Sequence, residues 1–144
     1  MAVAALKAPI DQIGILTDDL DRAVDDWIRR FGVGPWMMFK NVLMEGTYRG
    51  KPTSVTIDVA LGYRGDTQIE FIKATNNSAS PYRDADLKPL MGMHHVAWLV
   101  DDLDTVTREM EAAGMVRVFF AQNPAVRVGY FEDPAQQGML FEII

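Results

Sequence analysis

Gly92-Met-His-His-Val-Ala-Trp-Leu-Val-Asp-Asp-Leu-Asp104 holds both histidines of the chain and decides how the rest is read. Residues 94–100 alternate as a strand, with His95, Ala97 and Leu99 on one face and His94 on the other. Asp101-Asp102 then opens a helix, as capping carboxylates do. An earlier stretch, Ile10-Asp-Gln-Ile-Gly-Ile-Leu-Thr-Asp-Asp-Leu-Asp21, repeats the pattern. It places Gln12 where the later copy has His95, and Asp18-Asp19-Leu20-Asp21 where the later copy has Asp101-Asp102-Leu103-Asp104. The chain therefore reads as an internal duplication.

Outward from the first copy, Leu20, Ala23, Val24, Trp27, Ile28 and Phe31 recur at helical spacing and predict a helix laid on a sheet. Gly32-Val-Gly-Pro35 stops it, and Trp36-Met-Met-Phe39 is short and apolar enough for a buried strand. Gly46 to Pro52 reads as a turn-rich hairpin region, followed by strands over 55–61 and 67–73. In the second copy Leu103, Val106, Met110 and Ala113 form the helical stripe, with Gly114 as its stop. Strands follow over 116–121, 126–131 and 139–144. Each module, about 8–75 and 92–144, thus reads strand, helix, three strands. The polar stretch 76–91 reads as a connection whose role is reach, or a lid. The expected fold is α+β in one domain spanning 1–144: two tandem βαβββ modules in a curled mixed sheet around a cleft, helices outside.

The duplication reaches the module ends. Gln68-Ile-Glu70-Phe-Ile72 and Leu140-Phe-Glu142-Ile-Ile144 each set one glutamate in an apolar closing strand. Gln12 and Glu70 in the first module thus correspond to His95 and Glu142 in the second. A carboxylate directed into an apolar environment is costly unless it is paired, protonated or bound to a cation. One imidazole nitrogen and three oxygens facing one cleft would bind a divalent metal, with two carboxylates balancing its charge. A ketone, thioester or hydroxyketone there would have its α-proton acidified, and a glutamate, Glu70 or Glu142, could take and return it. Read singly, each residue has a plainer explanation: a solvent-facing pleat for the glutamates, a hydrogen-bonded core position for His95. Only the duplicated set argues for a site. His94, expected on the far face, is given a structural role. Trp36, Met38, Phe39 and Tyr63 are candidates for contacting a hydrophobic or aromatic part of the substrate.

Composition narrows the classes further. Fourteen basic against twenty acidic side chains leave a net charge of −6, which disfavours nucleic acid and anionic membrane surfaces as partners. The absence of cysteine removes disulfides, thiolate nucleophiles and zinc-thiolate sites. No run approaches membrane-spanning length and Met1 to Pro9 lacks a signal-peptide pattern, so a cytoplasmic protein acting on a small molecule is the expectation.

These residues resemble the vicinal oxygen chelate superfamily, which includes glyoxalase I, methylmalonyl-CoA epimerase, extradiol dioxygenases and bleomycin-resistance proteins. The likeness rests on Met93 to Leu103, Ile10 to Ile15, Gly65 to Glu70 and Asp133-Pro134 to Glu142. It implies paired βαβββ modules, a homodimer, and metal ligands on the first and last strands of each module, here Gln12, Glu70, His95 and Glu142. The pattern is most similar to the epimerase group, where histidine is usual at the position of Gln12; the Gln, Glu, His, Glu set itself is that of eukaryotic-type glyoxalase I. The implied function is a metal-dependent isomerase, epimerase or lyase using Zn, Mg, Mn, Co or Ni and acting through an enolate. The alternative is a metal-free binding protein of the bleomycin-resistance kind.

Overall fold

The computed structural model describes residues 2–144. The first module comprises β1 (Gln12–Leu16), α1 (Leu20–Phe31), β2 (Met37–Tyr48), β3 (Lys51–Arg64) and β4 (Thr67–Ala74). The second comprises β5 (Gly92–Trp98), α2 (Leu103–Ala112), β6 (Val116–Gln122), β7 (Arg127–Asp133) and β8 (Gln136–Ile143). Both helices start where the duplicated aspartates predict. Asp19 accepts from the Arg22 amide and Asp102 from the Thr105 amide, each satisfying one amide that the helix leaves without a partner.

The eight strands form one mixed sheet in the order β1-β4-β3-β2-β6-β7-β8-β5, closed on itself by β1–β5 and β2–β6 pairing. The curled sheet expected from the sequence thus closes on itself, with β2 and β6 paired over Glu45–Tyr48. Closure at β2–β6 brings Gly46 against the Phe120 and Ala121 backbone, where a β-carbon would collide with the Phe120 carbonyl. Strand periodicity divides the apolar residues between the two faces of this sheet. Inside lie Met44, Val55, Ile57, Val59, Phe119, Val128 and Tyr130. Outside, Leu20 and Val24 of α1 cover Ala60, Ile69 and Phe71, while Leu103, Val106 and Met110 of α2 cover Phe131 and Ile143.

Three sequence expectations change. The Trp36 to Phe39 run opens the long strand β2 but is not buried: Met37 is 63% exposed and Phe39 43%. The reason is pairing, since β2 meets β6 only from Glu45 to Tyr48 and its upstream half is an open edge. Second, the connection between modules is more than reach. Ser80, Tyr82 and Arg83 are buried, Tyr82 packs within the interior core, and Arg83 donates to the Asn76 and Leu87 carbonyls, tying the segment into a fixed plug. Third, His94 does not face away from His95. The β1–β5 register slips between Gly14 and Ile15, so that His95 pairs with Gly14 while Met93 pairs with Ile15. One extra residue in β5 at this bulge, His94, escapes the strict alternation and turns inward.

Candidate metal centre

The register places the four duplicated polar residues with the symmetry that the sequence implies. In the parallel β1–β4 pair Glu70 lies beside Gly14, and in the parallel β5–β8 pair Glu142 lies beside Ala97. Gly14 and Ala97 occupy corresponding positions in the two copies. All four side chains converge: His95 Nε2 is 2.9 Å from Gln12 Oε1, 2.9 Å from Glu142 Oε2 and 3.3 Å from Glu70 Oε1. The ligand atoms of Glu70, His95 and Glu142 lie within 4.8 Å of one another. His95 is fully buried, and the Glu142 and Glu70 side chains are 5% and 14% exposed.

Electrostatics ties these groups together. Burial alone would lower the His95 pKa, but the carboxylates of Glu142 and Glu70 outweigh it and carry it up to about 10. Burial pushes the Glu142 carboxyl above its usual range, against the pull of His95. His94 is held down to about 3 by burial and by its charged neighbour, against the hydrogen bond to the Pro81 carbonyl. Its neutrality fixes a chain of tautomers. His94 Nε2–H donates to Pro81 O at 2.8 Å, leaving Nδ1 to accept from His95 Nδ1–H at 2.9 Å. His95 Nε2 is consequently the nitrogen directed at the carboxylates, as a metal ligand requires.

A second hydrogen-bonded chain passes through Gln12 and admits two amide orientations. In one, Gln12 Nε2 donates to Gln68 Oε1 at 2.7 Å and Gln68 Nε2 to the Tyr63 hydroxyl at 3.0 Å, which turns Gln12 Oε1 toward the cluster. Three oxygens and one imidazole nitrogen then face one another. A divalent cation fits this donor set, and Glu70, His95 and Glu142 are able to hold one. The reversed chain is also sound: with both amides turned, Gln12 Nε2 reaches Glu142 at 3.1 Å and Glu70 at 3.3 Å, and the Tyr63 O–H becomes the donor to Gln68.

Gln12, Glu70 and Glu142 of the cluster line a cavity of about 340 Å³ inside the barrel, walled chiefly by apolar side chains, while the His95 ring is fully buried beside them. Of the four residues expected to contact substrate, Phe39 lines this cavity. Tyr63 does not line it and reaches it only through the hydrogen bond to Gln68, which does. Trp36 and Met38 are elsewhere. Trp36 packs with Phe71 and α1 on the outer layer, and Met38 pairs with Ala60, whose side chain belongs to that same layer. Sequence reasoning missed Tyr82 and Tyr130. Both line the cavity, their hydroxyls are 3.1 Å apart, and burial together with the Glu142 charge keeps both phenols protonated far above the ordinary range. Tyr130 was visible only as an alternate position of an apolar strand, and Tyr82 lay in a segment that carries no periodicity.

Comparison with known proteins agrees with this architecture. No curated protein sequence matches the chain. Among solved structures, a hypothetical protein, BH1468 from Bacillus halodurans C-125, superposes with a TM-score of 0.66 at 17% identity, covering 94% of this chain and 91% of its own. Methylmalonyl-CoA epimerase from Mycobacterium tuberculosis superposes with a TM-score of 0.64 at 21% identity over 99% of this chain and 91% of its own. A methylmalonyl-CoA epimerase in complex with methylmalonyl-CoA and NH4+ gives 0.57 at 18% identity, covering 93% and 91%. At these identities the likeness establishes the fold. The model of the glyoxalase/bleomycin resistance protein/dioxygenase superfamily matches residues 11–130, most of the chain, and the protein belongs to that superfamily.

Proposed function

We propose that this protein is a metal-dependent isomerase, epimerase or lyase that removes a proton α to a carbonyl of a small, partly hydrophobic substrate. Gln12, Glu70, His95 and Glu142 are the proposed ligands. The observation that carries the reading is the convergence of Gln12 Oε1, Glu70 Oε1 and Glu142 Oε2 on His95 Nε2 beside an apolar cavity. A bound divalent ion would supply Lewis acidity to the substrate carbonyl. The chain supplies the base. A carboxylate oxygen of Glu70 or Glu142 accepts the α-proton as the C–H electron pair moves toward the carbonyl oxygen, and the same carboxyl group returns the proton to carbon. The apolar walls exclude water, which protects the anionic intermediate from stray protonation and strengthens every charge interaction at the cluster. The family likeness supports a homodimer as the working assembly.

The test is elemental analysis of purified protein after exposure to each candidate divalent ion, with Glu70→Ala and Glu142→Ala alongside, followed by exchange of substrate α-protons with deuterated solvent. Near-stoichiometric metal that both substitutions abolish, and exchange that requires it, are expected. The alternative, a metal-free binding protein, draws on the reversed amide chain in which Gln12 Nε2 satisfies the carboxylates without a cation. Undiminished ligand binding with no metal uptake in any form would select it.

A further inference from the structure

The walls of the cavity narrow what it admits. Among the residues lining it there is no lysine or arginine, and its only charged side chains are Glu70 and Glu142. Two carboxylates and one divalent ion sum to zero, so an uncharged ligand leaves the interior balanced. An anionic group among Val42, Met44, Ile57 and Val59 would meet apolar walls and no counter-charge, which disfavours it. The cavity is also near the small end of ligand sites, which typically run from about 300 to 1,000 Å³.

Beyond Gln12, Gln68 and the two carboxylates, its polar lining groups are Asn123, whose amide is engaged by Met44 and by the Ala125 and Val126 amides, and the tyrosine pair. Tyr82 is 4% exposed and Tyr130 1%, and their hydroxyls hydrogen-bond only to each other among the described residues. Two hydroxyls carry two protons and one bond between them uses one. The other O–H has no protein acceptor among the described residues, and a ligand oxygen in the cavity would complete it. The Tyr130 ring lies 5.1 Å, centroid to centroid, from the His95 ring, so the pair borders the cluster and does not sit at the distant mouth.

We infer that the cavity takes an uncharged, chiefly apolar carbonyl compound, one of whose oxygens accepts the free O–H of the Tyr82–Tyr130 pair while its hydrocarbon part fills the barrel. The inference rests on the proposed metal-assisted proton abstraction and names the substrate class for it. The tyrosine proton stays on its phenol throughout. Its hydrogen bond strengthens as negative charge grows on the substrate oxygen, so the pair contributes to both binding and turnover.

Two probes that share a hydroxymethyl ketone head and differ only in tail charge test this: hydroxyacetyl-benzene with a para-methyl group, and its counterpart with a para-carboxylate. Calorimetric binding to metal-loaded wild type, Tyr82→Phe and Tyr130→Phe, each with its metal content measured, gives the readout. The neutral probe is expected to bind at least about a hundredfold more tightly than the anionic one, the cost of an unpaired buried carboxylate. Each Phe variant should weaken the neutral probe by roughly five- to tenfold at unchanged metal content, the worth of one hydrogen bond. Equal or better binding of the carboxylate, or no measurable binding of the neutral probe, overturns the charge assignment. Unchanged affinity in both Phe variants overturns the tyrosine assignment. If wild type takes up no metal, the proposed enzyme reading fails, but the two comparisons are then made on the metal-free protein, whose walls and tyrosines are the same, and decide this inference separately.

Discussion

Gly14 and His95 face each other across the β1–β5 pairing, and the His95 imidazole fills the space that a β-carbon at Gly14 would need. The missing side chain in one module makes room for the ring of the other. The corresponding position of the other module, Ala97, is also small and faces Gln12 across the same pairing.

Gly14→Ala should therefore expel the His95 ring from the cluster and not merely crowd it. The expected cost is about 1–3 kcal/mol of stability from overpacking, measured by urea unfolding, together with loss of metal uptake in elemental analysis. Retained stoichiometric metal in a folded Gly14→Ala protein would contradict the geometry.

His94→Phe keeps a ring of similar size but removes the acceptor that holds His95 Nδ1–H. With the tautomer no longer fixed, metal affinity should fall by about 10–100-fold, read by competition with a chelator of known affinity, while the protein stays folded. No change in affinity would reduce His94 to a packing residue.

Protons and metal should compete at His95. With its pKa up at about 10, metal-free His95 is protonated at neutral pH, so each ion bound displaces about one proton from it. Affinity should rise about tenfold per pH unit toward pH 10, and titrations in buffers of different ionisation enthalpy should report the released proton. The sign for stability is opposite. A histidine whose pKa is raised by folding stabilises fully below its unfolded value near 6.5, and that contribution is lost as pH rises through about 10. Metal-free protein should accordingly lose thermal stability between those limits, whereas metal-loaded protein should not.

Arg83 anchors the segment between the modules through the Asn76 and Leu87 carbonyls. Arg83→Ala leaves both acceptors without their charged donor and should cost about 2–4 kcal/mol. Protease should then cut within residues 76–91 before the strands. Cleavage elsewhere first would show that the plug is held by Tyr82 alone.

The sequence by itself determined what local periodicity and short-range chemistry can encode. The alternation of β1 and β5, the stripes of α1 and α2, and the caps Asp19 and Asp102 each depend on neighbours a few residues away, and comparing the two copies was enough to pick out Gln12, Glu70, His95 and Glu142 before any fold was known. Tertiary structure decided everything that depends on register and closure. A one-residue bulge brought His94 inward, because strand faces are assigned by pairing and not by counting alone. The incomplete β2–β6 seam exposed Met37 and Phe39, and sheet closure put Trp36 and Met38 on the outer layer. Tyr82 became part of the cavity wall because an aperiodic segment is placed by the barrel it plugs, a constraint that exists only once distant strands have met.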